Sequence, residues 1–347
     1  MKKITFCGGG SAGHVMPNIA LIEDLKEDYK ISYCGTAGIE KGICQKFGVR
    51  FFEYEAIKFV RGKIFCNFAI PFKLFKSVRK VKKFLQAEKP DLVFCKGGYV
   101  CVPTAIAAKQ LKIPIITHES DISAGLANKF IAKFCNKVLC AFLQTAKSFK
   151  NGVCVGAPMR KNLFTKSRAA ALNFFGLKNR QTVLVFGGGS GSKTINDSLI
   201  KALPTLCKSL NVLHICGKGN FVDLKIEGYK QVEFVDDMGL AYACADIVVA
   251  RCGANSACEI TALKIPALFI PLENKRTRGD QVKNAEYFYS LGTCRVLREN
   301  NLNENTLTQN IMLALNDGEI KNALAKINYE CANDKIKNEI NKILYAD

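Results

Sequence analysis

Short, unbroken apolar runs alternate along this chain with stretches whose apolar residues recur at helical spacing. "ITFC" from residue 4, "DLVFC" from 91, "TVLVF" from 182 and "DIVVAR" from 246 are of the first kind, and each leads into glycines. Strands that are apolar throughout and alternate with helices predict parallel sheets covered on both faces. In such sheets ligands bind at the carboxyl ends of the strands, where the glycine turns lie.

The pattern occurs twice. "KITFCGGGSAGHVMPNIALIEDL" from residue 3 has a counterpart in "TVLVFGGGSGSKTINDSLIKAL" from residue 182. "DLVFCKGGYVCVPTAIAAKQLKIPIITHES" from 91 is echoed by "DIVVARCGANSACEITALKIPALFIPLEN" from 246, down to the triplet Lys-Ile-Pro before the second strand. Two echoes in the same order predict two α/β domains of similar, doubly wound, Rossmann-like design. We place them at 1–156 and 157–330, with the hinge in "VCVGAPMRKNL" from residue 153 and facing glycine turns lining one cleft. Residues 331–347 hold a basic helix, "KIKNEINKILYAD", a candidate to pack back on the first domain.

The first half is longer between its glycine turn and the repeated aspartate. The candidate for the surplus is the segment 57–85, with nine Lys or Arg, six Phe and no acid. Pro71 starts a helix there. Leu74, Val78, Val81 and Leu85 share one stripe, while Phe72 and Phe75 point away from it among Lys76, Arg79 and Lys83. The first stripe is core. The second, with Phe68, has the character of a surface that dips into anionic lipid, and the residues alone leave open a solvated basic face with its Phe under a loop.

Charge narrows the partner. The 347 residues carry a formal net charge of +20, which points to nucleic acid, an acidic membrane face or phosphate-bearing substrates. A nucleic-acid binder would place stacking aromatics among basic residues on strands or loops, whereas these Phe follow helical spacing, so no nucleic acid is expected. The 16 cysteines include no Cys-x-x-Cys pair, and with three histidines a zinc cluster has little support. They read as reduced core residues of a cytoplasmic protein. No apolar run reaches the ~18–20 residues of a spanning helix.

Candidate chemistry gathers at the turns. The glycine turn from Gly8 matches neither the dinucleotide pattern nor a P-loop, and leaves a helix N-terminus suited to phosphate or close sugar contact. On spacing alone a lone histidine such as His14 is more often a helix-end hydrogen-bonder, but beside a glycine turn in a cleft it is placed to act as a general base near neutral pH. Glu259, within two helical turns of "CGANSACE", is placed to accept hydrogen bonds from ribose hydroxyls or is simply solvated. Arg160 pairs with phosphate or is an exposed linker arginine. No Asp-x-Asp triplet occurs, so no metal and no cofactor is expected, and a diphosphate leaving group would be met by helix N-termini, Ser190 and Arg160.

The ordered set "GGGSAGHVMP", "KGGYVCVP", "HESDISAGLANK", "VGAPMR", "GGGSGSKTIN", "VDDMGLAYACADIVVARCGANSACE" and "GDQVKNA" resembles the MurG family of GT-B glycosyltransferases, family 28, over residues 3 to about 296. The resemblance implies a metal-independent, inverting transfer of GlcNAc from UDP-GlcNAc to the muramyl 4-hydroxyl of undecaprenyl-pyrophosphoryl-MurNAc-pentapeptide (lipid I), in peptidoglycan synthesis. It implies His14 as the base and donor contacts from Ser11, Ala12, Gly13, Asp121, Arg160, Ser190, Val235, Ala254, Asn255, Ser256, Ala257, Cys258, Glu259 and Gln281. On the acceptor side it implies Gly9, Gly10, Gly97, Gly98, Tyr99, His118, Glu119 and Asn128. Phe68, Phe72, Phe75, Lys76 and Arg79 coincide with the family's membrane patch, implying a peripheral place on the cytoplasmic face of the bacterial inner membrane, with anionic lipids and other cell-wall synthesis and division proteins as partners. A diacylglycerol glycosyltransferase of the same fold is the alternative. The chain departs from the family's Gly-Gly-Thr-Gly-Gly-His at Ser11 and Ala12, from its His-Glu-Gln-Asn at Ser120 and Asp121, and from its paired Gln-Gln or His-Gln at Asp280.

Overall fold

The structure, a computed structural model, describes residues 1–56, 70–273, 279–328 and 332–345. The chain divides into two compact units, Met1–Arg160 with Glu330–Asp347, and Lys161–Tyr329.

The first unit is built on a seven-stranded sheet in the order β3-β2-β1-β4-β5-β6-β7. Its strands are β1 (Lys3–Cys7), β2 (Lys30–Gly35), β3 (Arg50–Glu53), β4 (Leu92–Cys95), β5 (Ile115–Glu119), β6 (Lys137–Cys140) and β7 (Gly152–Cys154), all paired parallel. Strand order reverses at β1 and β4, whose registers align Cys7 with Cys95. That reversal opens a crevice outside the carboxyl ends of the two strands, which is where ligands of this architecture sit.

Strands apolar on both faces require cover on both. On one side the Ala12–Leu25 helix brings Val15, Ile19 and Leu25 onto Ile4, Phe6 and Leu92, joined by Ile336 and Ile340 of the Ala332–Leu344 helix. On the other, Val78, Val81 and Leu85 of the Ile70–Glu88 helix pack with Cys101 and Ala105 over Cys7, Val93 and Cys95. The C-terminal helix is also held by polar contacts: Asn333 donates to Asp24 (2.8 Å), and Lys337 pairs with Asp28 at 2.6 Å. The Asn333 amide further accepts from Met159 N and donates to Met159 O, at 3.1 and 2.8 Å.

The second unit repeats the design with six parallel strands in the order β10-β9-β8-β11-β12-β13. They are β8 (Thr182–Phe186), β9 (Asn211–Ile215), β10 (Tyr229–Val232), β11 (Ile247–Ala250), β12 (Ala267–Phe269) and β13 (Cys294–Val296). Here the order reverses between β8 and β11, whose ends, Phe186 and Ala250, lie in register. The Lys193–Leu206 and Glu304–Leu315 helices cover one face through Ile195, Leu199, Leu307 and Ile311.

The described cysteines are free thiols, and all but Cys154 and Cys207 are buried. Burial pushes the Cys44 and Cys140 thiols up to about 12, as befits small apolar core groups rather than nucleophiles.

Candidate active site

In the first unit three loops leave the carboxyl ends of β1, β4 and β5. The first is the glycine turn. Ser11 precedes the Ala12–Leu25 helix in extended conformation but does not cap it; its hydroxyl lies 3.0 Å from His14 Nδ1. His14 thus sits half-buried on the first helical turn with one ring nitrogen fixed by Ser11. Ala12, where the family has glycine, opens the helix and has no positive φ, so its methyl meets no left-handed strain.

Beneath the turn lies a residue that sequence reasoning missed. Glu40 is fully buried, accepting from Thr36 N at 3.0 Å, from the Thr36 hydroxyl and from Gly10 N at 3.2 Å. The Gly10 amide therefore points inward to a carboxylate rather than outward to a phosphate. A Cβ on Gly9 would stand 2.3 Å from Glu40 Oε1, so the glycine is what lets the acid approach. Glu40 also helps burial raise the Tyr99 hydroxyl above its ordinary value, burial being the larger cause. A lone acid in "TAGIEKGIC" matches no motif, and only its tertiary setting reveals it.

His118, Glu119 and Asn128, all buried, shape the third loop, and the contact of His118 with Lys96 joins it to the second. Glu119 accepts from Asp121 N (3.0 Å), Gly125 N (2.8 Å) and Asn128 Nδ2 (2.9 Å), holding the loop 120–125 in shape. Asn128 Oδ1 accepts from Thr117 Oγ1 at 2.7 Å. Gly97, at φ +93°, carries no Cβ where one would come within 2.6 Å of Asn128 Nδ2. Both His118 ring nitrogens face fold partners, Lys96 Nζ and the Gly156 carbonyl, each at 2.9 Å. Of the acceptor-side residues expected from the resemblance, these three build the loop, while Gly10 is exposed and Gly98 and Tyr99 are partly exposed. Asp121 is partly exposed, and its carbonyl accepts from Thr145 Oγ1 at 3.2 Å.

In the second unit the β8 turn leaves Ser190 exposed, and Ser192 caps the Lys193–Leu206 helix by accepting from Ile195 N. After β11, Gly253 opens the Ala254–Ala262 helix without a capping side chain. Ala254, Ala257 and Cys258 are buried there, and Asn255, Ser256 and Glu259 are partly exposed. Glu259 Oε2 accepts from Tyr242 OH at 3.0 Å, which fixes the carboxylate on this helix. Gln281, beside Asp280 in the first turn of the Asp280–Ser290 helix, accepts from Leu272 N at 2.9 Å. Val235 lies in the partly exposed chain between β10 and Asp237.

Arg251, which the sequence offered only as the end of a strand, anchors this floor. It is 8% exposed, donates to Ser192 Oγ (2.9 Å) and the carbonyls of Ile270 and Pro271, and pairs with Glu299.

Elsewhere, Arg160 is partly exposed just after Met159. On the Ile70–Glu88 helix, Phe72 and Phe75 are 77% and 67% exposed, with Lys76 and Arg79 beside them in solvent. Phe68 lies outside the described residues. Among the described residues no helix is long and apolar enough to cross a membrane.

Two Rossmann-like parallel-sheet units, each with a glycine turn at its strand-order reversal, make up the GT-B architecture. The Glycosyltransferase family 28 N-terminal domain matches residues 4–140, and the C-terminal domain of the same family matches residues 182–341. A curated relative from Clostridium novyi (strain NT) is 43% identical over 318 residues, 89% of either chain. One from Clostridium botulinum (strain Alaska E43 / Type E3) is 41% identical over 335 residues, 94% of either chain. Both are named UDP-N-acetylglucosamine--N-acetylmuramyl-(pentapeptide) pyrophosphoryl-undecaprenol N-acetylglucosamine transferase. In fold, the chain is similar to the crystal structure of Acinetobacter baumannii MurG, with a TM-score of 0.75 at 24% identity over 99% of this chain and 100% of that one. The chain belongs to the MurG family within glycosyltransferase family 28.

Proposed function

We propose that this protein transfers N-acetylglucosamine from UDP-N-acetylglucosamine to the muramyl 4-hydroxyl of N-acetylmuramyl-(pentapeptide) pyrophosphoryl-undecaprenol, inverting the sugar carbon. The reaction type and substrates follow from the relatives' shared name, which specifies a muramyl and not a diacylglycerol acceptor. The first unit takes the acceptor and the second the donor.

In this mechanism Nδ1–H of His14 donates to Ser11 Oγ, so Nε2 carries the lone pair. The 4-hydroxyl oxygen attacks C1 of the donor sugar as the bond from C1 to the UDP oxygen breaks. Nε2 takes the hydroxyl proton, and UDP leaves with the bonding electrons. Its developing charge is met by the amides of the turn at Ser190 and by Arg160, without a metal ion. Glu259, held by Tyr242, accepts from the ribose hydroxyls, with residues 254–258 around the nucleotide, Val235 at the base and Gln281 at the sugar. Phe72, Phe75, Lys76 and Arg79 hold the protein on anionic lipid at the cytoplasmic face of the membrane, where the acceptor resides.

The observation that carries the catalytic assignment is the Ser11–His14 contact of 3.0 Å on an uncapped helix turn at the strand-order reversal. His14→Ala is expected to lower kcat by roughly two to four orders of magnitude with the Kd for UDP-N-acetylglucosamine nearly unchanged. Unchanged kcat would remove His14 from the role of base.

A further inference from the structure

The site as described leaves one buried charge without a role. Lys96 directly follows β4, its backbone N–H donating to Cys7 O at 2.8 Å, and the residue is 1% exposed. Its ammonium lies 2.9 Å from His118 Nδ1 and bonds Ser120 Oγ. An ammonium has only protons to offer, so Nδ1 must be the acceptor. The single ring proton then sits on Nε2, which donates to the Gly156 carbonyl at 2.9 Å. One protonation state, the neutral Nε2–H imidazole, satisfies both contacts at once. A second ring proton would face the ammonium.

The setting reinforces this. Burial, and secondly the Lys96 charge, hold the imidazole well below its ordinary value, against the opposing pull of the Gly156 carbonyl. Glu119 follows on β5, and Cys140, its register partner on β6, feels both charges: Glu119 raises the thiol and Lys96 lowers it. Cation and carboxylate thus share one buried region, as buried charges require. Where the family has glutamine, Ser120 gives the ammonium a short hydroxyl partner. Lys96 grips the residues on either side of Glu119, and Glu119 grips Asp121 and Gly125.

We propose that Lys96 is a positioning residue of the acceptor unit. Its ammonium locks His118 as the neutral Nε2–H tautomer and ties Ser120 to the end of β5, so that the loop 120–125 presents one geometry to the pyrophosphate-bearing acceptor. This rests on the first unit being the acceptor unit.

The test uses the full chain labelled with 15N-histidine. With three histidines in the sequence, each ring can be assigned by single substitution. In the wild type, His118 shows an unprotonated Nδ1 and a protonated Nε2 from about pH 5 to about pH 8. In Lys96→Met the His118 ring exchanges tautomers or titrates, and KM for a short-chain muramyl acceptor rises about tenfold with the donor KM unchanged, the effect expected of a buried acceptor deprived of its donor. A protonated Nδ1 in the wild type overturns the proposal, as does a folded Lys96→Met with His118 signals and acceptor KM unmoved. Should Lys96→Met not fold, the wild-type tautomer still decides the lock, and Ser120→Ala decides the loop through the same KM split. The tautomer is read without substrate. A wrong acceptor assignment would therefore leave the spectrum as predicted and remove only the KM effect.

Discussion

Replacing Phe72 and Phe75 by serine tests the membrane face with a magnitude that the structure supplies. Completely burying a phenylalanine side chain is worth roughly 1.5–3 kcal/mol. With the two residues 77% and 67% exposed, nearly that benefit remains unrealised on the helix itself and is available on insertion into lipid. Together they amount to roughly 2–4 kcal/mol, or roughly 30- to 1000-fold in a partition constant. Lys76 and Arg79 add about 1 kcal/mol each at an anionic surface. The expected outcome is that the Phe72→Ser, Phe75→Ser double variant loses binding to vesicles rich in anionic phospholipid by at least about 30-fold in sedimentation. Activity on a short-chain, water-soluble acceptor is retained. The Tm is also retained, because Val78, Val81 and Leu85 on the opposite stripe still fill the core. Unchanged vesicle binding would refute the membrane assignment. A Tm lowered by several degrees would show instead that the two rings pack against protein.

Two further outcomes follow from buried groups. Glu40→Ala strands the amides of Thr36 and Gly10; it should lower stability by about 1–3 kcal/mol in urea titration and raise the acceptor KM, and an unaffected KM would separate Glu40 from the turn's function. His214, buried between Tyr229 and Asn196, is lowered by burial from 6.5 to about 4. Between those values the unfolded chain binds the proton and the folded chain does not. The contribution is present above about pH 6.5 and is lost as pH falls towards about 4, a total of about 3 kcal/mol. In His214→Gln, urea midpoints at about pH 7 and about pH 5 should differ less than in the wild type; an equal difference would place the cause elsewhere.

Much of the architecture was legible because the chain states it twice. The two GGGS turns sit after β1 and β8, and the two Lys-Ile-Pro strands are β5 and β12. Helical spacing also separated the buried stripe from Phe72 and Phe75, since a regular helix maps residue number directly onto direction. Groups that act across the fold were not legible. Glu40 acquires its meaning from Gly10, thirty residues away, and Arg251 from Ser192, fifty-nine residues away. Lys96 stands in a motif distinguished by its glycines, and a lysine before Gly-Gly looks like a solvated turn until His118 and Ser120 are beside it. His118, Glu119 and Asn128 show the converse: a motif marks a region, whereas burial shows that these side chains shape its loop.

A single transfer assay tests the reaction itself. UDP-N-acetylglucosamine labelled in the sugar is incubated with the protein and EDTA, with a short-chain lipid-pyrophosphoryl-MurNAc-peptide in one tube and diacylglycerol in another. Label is expected in the muramyl product alone. Label in diacylglycerol alone would contradict this, leaving the donor unit's role in place and removing the acceptor role given to the first glycine turn and His14.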